Sequence, residues 1–144
     1  MLKSLWCSGT VSDVVFLADY ASNPLGVKSD VDIAKVVERW LTEAAEVSDM
    51  LFIACNTLSI RYHQLYGSEG RLGRLTRVVS MADCFAAMVE QEADRIAGKN
   101  VLVIGTEFTA SQSLYTDIVA QVCPGARVST FAATELERKI ARFG

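Results

Sequence analysis

The sequence lacks the cysteine and histidine patterns that mark metal-binding and disulfide-bonded proteins. Its four cysteines (Cys7, Cys55, Cys84 and Cys123) are far apart, with no C-x-x-C pair, and His63 is its single histidine. These spacings exclude the usual zinc sites, so no metal is expected, and they provide no disulfide framework. Because unpaired cysteines are typical of reducing compartments, the sequence favours a cytoplasmic protein.

Positive charge and long apolar runs are also scarce. The formal net charge is −3, and no basic patch marks a nucleic-acid partner. No apolar run approaches the roughly 20 residues that a membrane-spanning helix needs. The first twenty residues carry Lys3, Asp13 and Asp19 and lack the sustained apolar core of a signal peptide. We therefore expect neither a nucleic-acid partner nor a membrane partner.

What the sequence does contain is a regular alternation of strand and helix patterns. Short apolar runs predict buried strands over residues 13–18, 50–55, 75–79, 101–104 and 127–131. Apolar residues at helical spacing predict helices over residues 30–46, 56–66, 81–97, 109–122 and 134–144, and residues 1–9 resemble the last turns of a helix. Strands that alternate with helices favour an α/β fold, with a parallel sheet that helices cover on both faces.

The stretch over residues 49–59 is central to this prediction. Its apolar run over residues 50–55 predicts a buried parallel strand, and Asn56 or Thr57 is a suitable N-cap for the following helix. Cys55 is therefore expected at the carboxyl end of a strand, where open α/β sheets bind ligands. The positive end of the helix dipole favours a thiolate there. The alternative is a small buried cysteine, since most free cysteines are structural.

Polar residues collect at three strand-to-helix turns of the predicted sheet, over residues 19–26, 55–57 and 105–109. Backbone N–H groups and small hydroxyls at helix N-termini suit a carboxylate or a phosphate ligand. Asp19 is the carboxylate expected to face this edge, although a loop cap is the alternative role. The Gly105 turn carries little weight alone, because neither a P-loop nor a G-x-G-x-x-G sequence is present and a plain capping turn also explains it.

Together the three turns resemble motifs of the glutamate racemase family, within the aspartate/glutamate racemase superfamily. Residues 54–59, A-C-N-T-L-S, are similar to the family's A-C-N-T-A-S motif. Residues 17–29 resemble its L-A-D-T-A-R-x-P-Y-G-x-K-S segment, and residues 103–115 resemble its V-I-G-T-x-x-T-x-x-S-x-x-Y segment. The sequence departs from these motifs at Leu58, Tyr20, Ser22, Leu25 and Gln112, where the motifs have Ala, Thr, Arg, Tyr and Ser.

The resemblance implies a two-lobed α/β fold and a racemase that uses no cofactor. In this family two cysteines face opposite sides of the α-carbon of a small amino acid; one thiolate removes the α-proton and the other thiol returns a proton. Cys55 corresponds to the cysteine of the first lobe. The other site residues that the resemblance implies are Asn56 and Thr57, which bind the amino and carboxylate groups, Pro24, Leu25 and Gly26 in the loop over the substrate, and Thr106 and Thr109 from the second lobe.

The same resemblance indicates the substrate. Ala54 and Ser59 favour glutamate, because aspartate racemases more often have Pro and His at these positions. The implied reaction is the interconversion of L- and D-glutamate, which supplies D-glutamate for peptidoglycan. Another small amino acid or dicarboxylate remains an alternative ligand.

Two parts of the family pattern do not occur in this sequence. They are the first strand with its Asp-Ser-Gly turn and the G-C-T-H-Y motif that carries the second cysteine. We therefore expect residues 1–97 to form most of lobe one and residues 98–144 to begin lobe two, with the whole chain able to pack as one compact unit. The alternative function is a non-catalytic or degenerate carboxylate-binding module. A homodimer is expected to cover the strand edge that the missing first strand would expose.

No other cysteine is expected to take the place of the missing one. Cys84 falls on an apolar helical stripe, Cys123 precedes a Pro-Gly turn, and Cys7 lies in the N-terminal segment. His63 is too far along the helix from Cys55 to act as its base, so a packing or surface role is expected for it.

Overall fold

The computed structural model describes residues 13–22, 25–67 and 77–143. The helices in these ranges are a 3₁₀ turn at Leu25–Val27 followed by α1 (Asp30–Val47), α2 (Asn56–Tyr66), α3 (Met81–Gln91), α4 (Ala93–Ile96), α5 (Glu107–Ser111), α6 (Leu114–Val122) and α7 (Thr134–Phe143). The strands are β1 (Met50–Ile53), β2 (Arg77–Ser80), β3 (Asn100–Gly105) and β4 (Arg127–Ala132).

Within the described ranges the strands form two parallel pairs. Strand β1 pairs with β2, with Leu51 opposite Val78, and β3 pairs with β4, with Ile104 opposite Phe131. A helical crossover joins the two members of each pair, as parallel strands require. The predicted α/β class with parallel strands is confirmed. The boundary proposed between residues 97 and 98 stays a prediction.

Helix α1 forms because its sequence is capped at one end and apolar along one face. The Ser29 hydroxyl accepts a hydrogen bond from the Asp32 N–H at 3.2 Å, and Asp30 and Asp32 place negative charge in the first turn. The buried positions of α1 follow helical spacing: Ile33, Val36, Val37, Leu41, Ala44 and Ala45. This face packs on Ile53 of β1 and Tyr62 of α2 to form one hydrophobic cluster.

A second cluster joins the two halves of the chain. Ile60 of α2, Ala82 of α3 and Tyr115 of α6 are buried together, and Phe85 and Phe108 pack around them. The rings of Phe85 and Tyr115 meet edge to face, with centroids 5.1 Å apart. The helices of the first half therefore pack directly on the helices that follow β3.

Two predicted helices are interrupted in the structure. The helix predicted over residues 81–97 divides at Glu92, whose backbone leaves the helical region at φ −101° and ψ 10°. The helix predicted over residues 109–122 begins earlier, at Glu107, and breaks where Gln112 takes an extended conformation. Neither break has a Gly or Pro to mark it, so composition gave no signal for it.

The prediction of a strand over residues 13–18 was wrong. These residues take no regular secondary structure and are exposed, with Phe16 84% exposed. A strand needs a hydrogen-bonding neighbour, and this segment joins neither of the described sheets. The segment predicted over residues 1–9 and the first residues of the strand predicted at 75–79 lie outside the described residues.

Large apolar side chains remain exposed on one face of the β3–β4 pair. Leu102, Ile104 and Phe131 share this face because Ile104 pairs with Phe131 and Leu102 lies two residues before Ile104. Helix α7 also exposes Leu136 and Ile140. None of the helices in the described ranges is long and apolar enough to cross a membrane.

Candidate functional site

Cys55 lies at the junction of β1 and α2. Strand β1 ends at Ile53, and Cys55 keeps an extended backbone (φ −108°, ψ 124°) as the N-cap residue before Asn56. Its side chain is half-buried and free of any disulfide. The thiol therefore sits at the carboxyl end of a parallel strand and beside the first turn of a helix, the position that the sequence predicts.

The Ser59 hydroxyl holds this junction in place through two hydrogen bonds. It is fully buried, donates to the Cys55 carbonyl oxygen at 2.8 Å and accepts from the Met81 N–H at 3.1 Å. The turn that carries Cys55 is thereby tied to the start of α3. Since Ser59 satisfies polar groups on both elements, it is a structural support for the site rather than a part of its surface.

The predicted N-cap role of Asn56 or Thr57 was wrong by one position. Helix α2 begins at Asn56, and Cys55 occupies the N-cap without a side-chain capping bond. The Asn56 carboxamide makes a different contact, because the Tyr115 hydroxyl donates to its Oδ1 at 2.7 Å. Asn56 is itself exposed, whereas Thr57 is buried.

Tyr115 is the site residue that sequence reasoning missed. It lies in the first turn of α6, is 6% exposed, and reaches across to the first turn of α2. Burial, and next the negative charge of Cys55, raise the pKa of Tyr115 to about 12. Its hydroxyl therefore keeps its proton throughout the physiological range. The Tyr at the end of the 103–115 motif was the available signal.

Thr106 and Thr109 are brought near α2 but bond to each other. The Thr106 hydroxyl accepts from the Thr109 N–H at 3.2 Å, and the two hydroxyl oxygens are 3.2 Å apart. Thr109 is buried, and α5, which contains it, contacts α2, where the Arg61 guanidinium stacks 4.7 Å from the centre of the Phe108 ring. These bonds are those of the plain capping turn, and a substrate contact from either threonine stays a prediction.

The carboxylate of Asp19 faces α1. It accepts hydrogen bonds from the Ser22 N–H at 2.9 Å, from the Trp40 indole N–H at 3.1 Å, and from the Arg39 guanidinium. Bonding to Ser22 is the largest cause that lowers the pKa of Asp19 to about 2, followed by Trp40 and Arg39. These contacts favour the loop-cap role for Asp19.

The predicted substrate loop is described only in part. Leu25 and Gly26 lie in the 3₁₀ turn, which contacts α2, and Leu25 is half-buried. Pro24 lies outside the described residues. The structure thus brings this turn to the helix that Cys55 begins, and the binding role of its residues stays a prediction.

His63, in α2, contacts the residues that cap the start of α3. Its Nε2 lies 2.9 Å from the Ser80 hydroxyl and 3.4 Å from Asp83 Oδ1. Ser80 and Asp83 form a reciprocal capping box at the start of α3. A cavity of about 180 Å³ nearby is lined by Ile60, His63, Gln64, Gln112, Ser113, Leu114 and Asp117. This lining includes no residue of the Cys55 turn.

The other cysteines have structural surroundings. Cys84 is half-buried in α3, and Cys123 is buried with its thiol 3.6 Å from the Ala93 carbonyl oxygen. Cys7 lies outside the described residues. In the part of the chain that the structure describes, no three His, Cys, Asp or Glu side chains group as metal ligands.

Comparison with solved structures shows a likeness of fold. Neither a protein-family profile nor a curated protein matches the sequence. The crystal structure of glutamate racemase from Campylobacter jejuni subsp. jejuni matches with a TM-score of 0.76 at 23% sequence identity, covering 99% of this chain and 55% of that chain. The chain thus spans about half the length of the racemase that it matches. It has a partial glutamate racemase-like fold.

Proposed function

We propose that the chain forms part of a cofactor-independent amino-acid racemase that acts on glutamate through Cys55. The observation that carries this proposal is the position of a half-exposed thiol at a strand end, beside an exposed asparagine that Tyr115 anchors. The racemase-like fold and the three sequence motifs agree with it. In a cell the product would be D-glutamate for peptidoglycan, made in the cytoplasm.

In the proposed reaction, a cysteine thiolate removes the weakly acidic α-proton of glutamate. The Cys55 thiolate takes the α-proton and becomes a thiol, while the electron pair stays on the α-carbon as a carbanion. The N-terminus of α2 supplies backbone N–H groups, and Asn56 supplies a carboxamide, to hold the substrate carboxylate beside the sulfur. Fixed donors of this kind stabilise the negative charge that develops.

Inversion needs an acid on the opposite side of the α-carbon. Cys84 is half-buried within α3, and Cys123 is buried at the C-cap of α6, so neither is suited to this role. The proposal therefore assigns to this chain the half-reaction on one face, in which the α-proton exchanges with solvent through Cys55. A second thiol, from a longer product or a second chain, completes the racemisation.

The test is solvent exchange at the α-carbon. The purified protein is incubated with L-glutamate or D-glutamate in D₂O, and α-deuteration and optical rotation are followed. We expect one enantiomer to gain deuterium with retention of configuration. Deuteration of both enantiomers with inversion would show that this chain is a complete racemase. If neither L-glutamate nor D-glutamate gained deuterium, the catalytic proposal would be overturned.

Variants assign the exchange to one sulfur. Cys55→Ser should abolish it, because an alcohol is far less acidic than a thiol. The matched control is Cys84→Ser, which removes another half-buried thiol and should leave the rate unchanged. Glutamate binding that survives Cys55→Ala without any exchange in the unmodified protein would instead support the carboxylate-binding module.

A further inference from the structure

We infer that Tyr115 is a positioning residue that orients the Asn56 carboxamide toward the ligand of Cys55. The inference rests on the proposed function and deepens it, because it assigns a task to a residue in the second half of the chain. The Tyr115 hydroxyl donates to the side-chain oxygen of Asn56. The side-chain N–H₂ group of Asn56 is then the part that can donate to the carboxylate of the substrate.

The geometry of the contact is well defined. The Tyr115 hydroxyl lies 2.7 Å from Asn56 Oδ1, across 59 residues of sequence. The ring is held edge to face against Phe85 at an interplanar angle of 87°, within the cluster that also contains Ile60. Because the ring packs against Phe85 within this cluster, the hydroxyl is held at Asn56.

The direction of the hydrogen bond decides what Asn56 offers. A phenol hydroxyl carries one proton, and Asn56 Oδ1 is the acceptor that it meets among the described residues. Turning the amide over would leave that buried proton without an acceptor, which is unfavourable. The bond thus selects the orientation in which Asn56 Nδ2 stays available as a donor; it bonds to no described residue.

Electrostatics favour the same orientation. Cys55 directly precedes Asn56 at the start of α2, so the thiol, the phenol and the carboxamide share one small region. An amide oxygen turned toward this region would face both the thiolate and an incoming carboxylate. An amide N–H₂ group turned toward it is attractive to both.

The experiment combines two variants with a directly observed amide. Tyr115→Phe keeps the ring and its packing but removes the hydroxyl. The side-chain N–H₂ signals of Asn56 are followed by NMR, with Asn56→Ala to assign them, while L- and D-glutamate are titrated. We expect glutamate to shift these signals in the unmodified protein, and Tyr115→Phe to weaken binding about three- to tenfold, the effect of one hydrogen bond.

A double-mutant cycle separates positioning from general damage. If Tyr115 acts through Asn56, Tyr115→Phe should weaken binding no further in an Asn56→Ala background. The matched control is Tyr66→Phe, which removes the phenol hydroxyl of a tyrosine at the end of α2. It should leave the dissociation constant for glutamate unchanged.

The outcomes distinguish this inference from the function on which it rests. Equal glutamate binding by the unmodified protein and Tyr115→Phe would overturn the positioning role and leave the proposed function standing. The same loss of binding with and without Asn56 would also overturn it, because Tyr115 would then act independently. Absence of any glutamate-induced shift in the unmodified protein would overturn the proposed function, and this inference with it.

Discussion

At the scale of single residues, the carboxylate of Asp19 and the absence of a side chain at Gly105 have clear physical consequences. Asp19 ties the exposed segment before α1 to that helix through Trp40 and Arg39. Gly105 lets the end of β3 approach Thr109 closely. Neither residue needs a ligand to explain its contacts, so both give tests of stability that are independent of the proposed reaction.

The first residue-scale prediction concerns acid. The pKa of Asp19 is about 2 in the folded protein, below the value of about 3.9 for an unfolded aspartate. The carboxylate therefore stabilises the fold fully above about pH 4, and this contribution is lost as the pH falls toward 2. Asp19→Asn should flatten the dependence of the unfolding midpoint on pH in this window, measured by urea unfolding.

The matched control for this prediction is Asp13→Asn. Asp13 is an exposed aspartate of the same segment and should leave the acid dependence as it is. Identical acid profiles for Asp19→Asn and the unmodified protein would show that the contacts with Ser22, Trp40 and Arg39 do not bias the protonation of Asp19.

The second residue-scale prediction concerns close packing. A Cβ at position 105 would lie 2.9 Å from both Cβ and Cγ2 of Thr109. Gly105→Ala should therefore cost about 1–3 kcal/mol of unfolding free energy, the usual cost of overpacking. Gly125→Ala is the control, because the nearest atom to its Cβ would be 3.8 Å away. Urea unfolding of the two variants measures the difference, and equal stability would contradict the described approach of β3 to α5.

At the scale of elements, short apolar runs correctly predicted the strands that pair with another strand. The same kind of run wrongly predicted a strand over residues 13–18, which pair with no described strand. The runs at β1 and β3 each pair in parallel with a later strand. Val14 to Leu17 has a similar composition, but its backbone meets no described strand. A run of apolar residues measures the tendency to be buried and carries no information about whether a neighbouring strand is available.

The candidate site shows the same division between local and distant information. The position of Cys55 followed from a strand pattern that ends in a helix pattern, which is local. The Tyr115–Asn56 bond joins two helices far apart in the sequence and depends on tertiary packing. The break at Gln112, which lets α6 begin anew before Tyr115, has no local marker either.

The prediction at this scale concerns helix capping. Ser80 and Ser113 both occupy N-cap positions, but only Ser80 makes a side-chain capping bond, within a reciprocal box with Asp83. Ser80→Ala should destabilise the fold by about 1 kcal/mol, a typical capping contribution. Ser113→Ala should cost less. Thermal unfolding of both variants measures this order, and the reverse order would contradict the capping assignment.

At the scale of the whole molecule, the exposed apolar face of β3 and β4 offers the homodimer a surface different from the strand edge that the sequence predicts. Ile104 is 60% exposed and Phe131 is 58% exposed on this face. A contiguous apolar surface is typical of a site that another protein surface covers. The dimer stays a prediction, and a mass of two chains by light scattering is the expected result.

Variants test which surface is used. Ile104→Lys should shift the protein toward a single-chain mass, because a charge on this face opposes its burial. Val31→Lys, at an exposed position of α1, is the control and should leave the mass unchanged. A single-chain mass for the unmodified protein at every concentration would contradict the prediction.

The account rests most heavily on Cys55 as the group that removes the α-proton of glutamate. The most direct measurement is the decay of the α-proton signal of glutamate in D₂O, followed by NMR with the unmodified protein and with Cys55→Ala. The account predicts that the signal decays with the unmodified protein and persists with the variant. Decay at the same rate with both would contradict it.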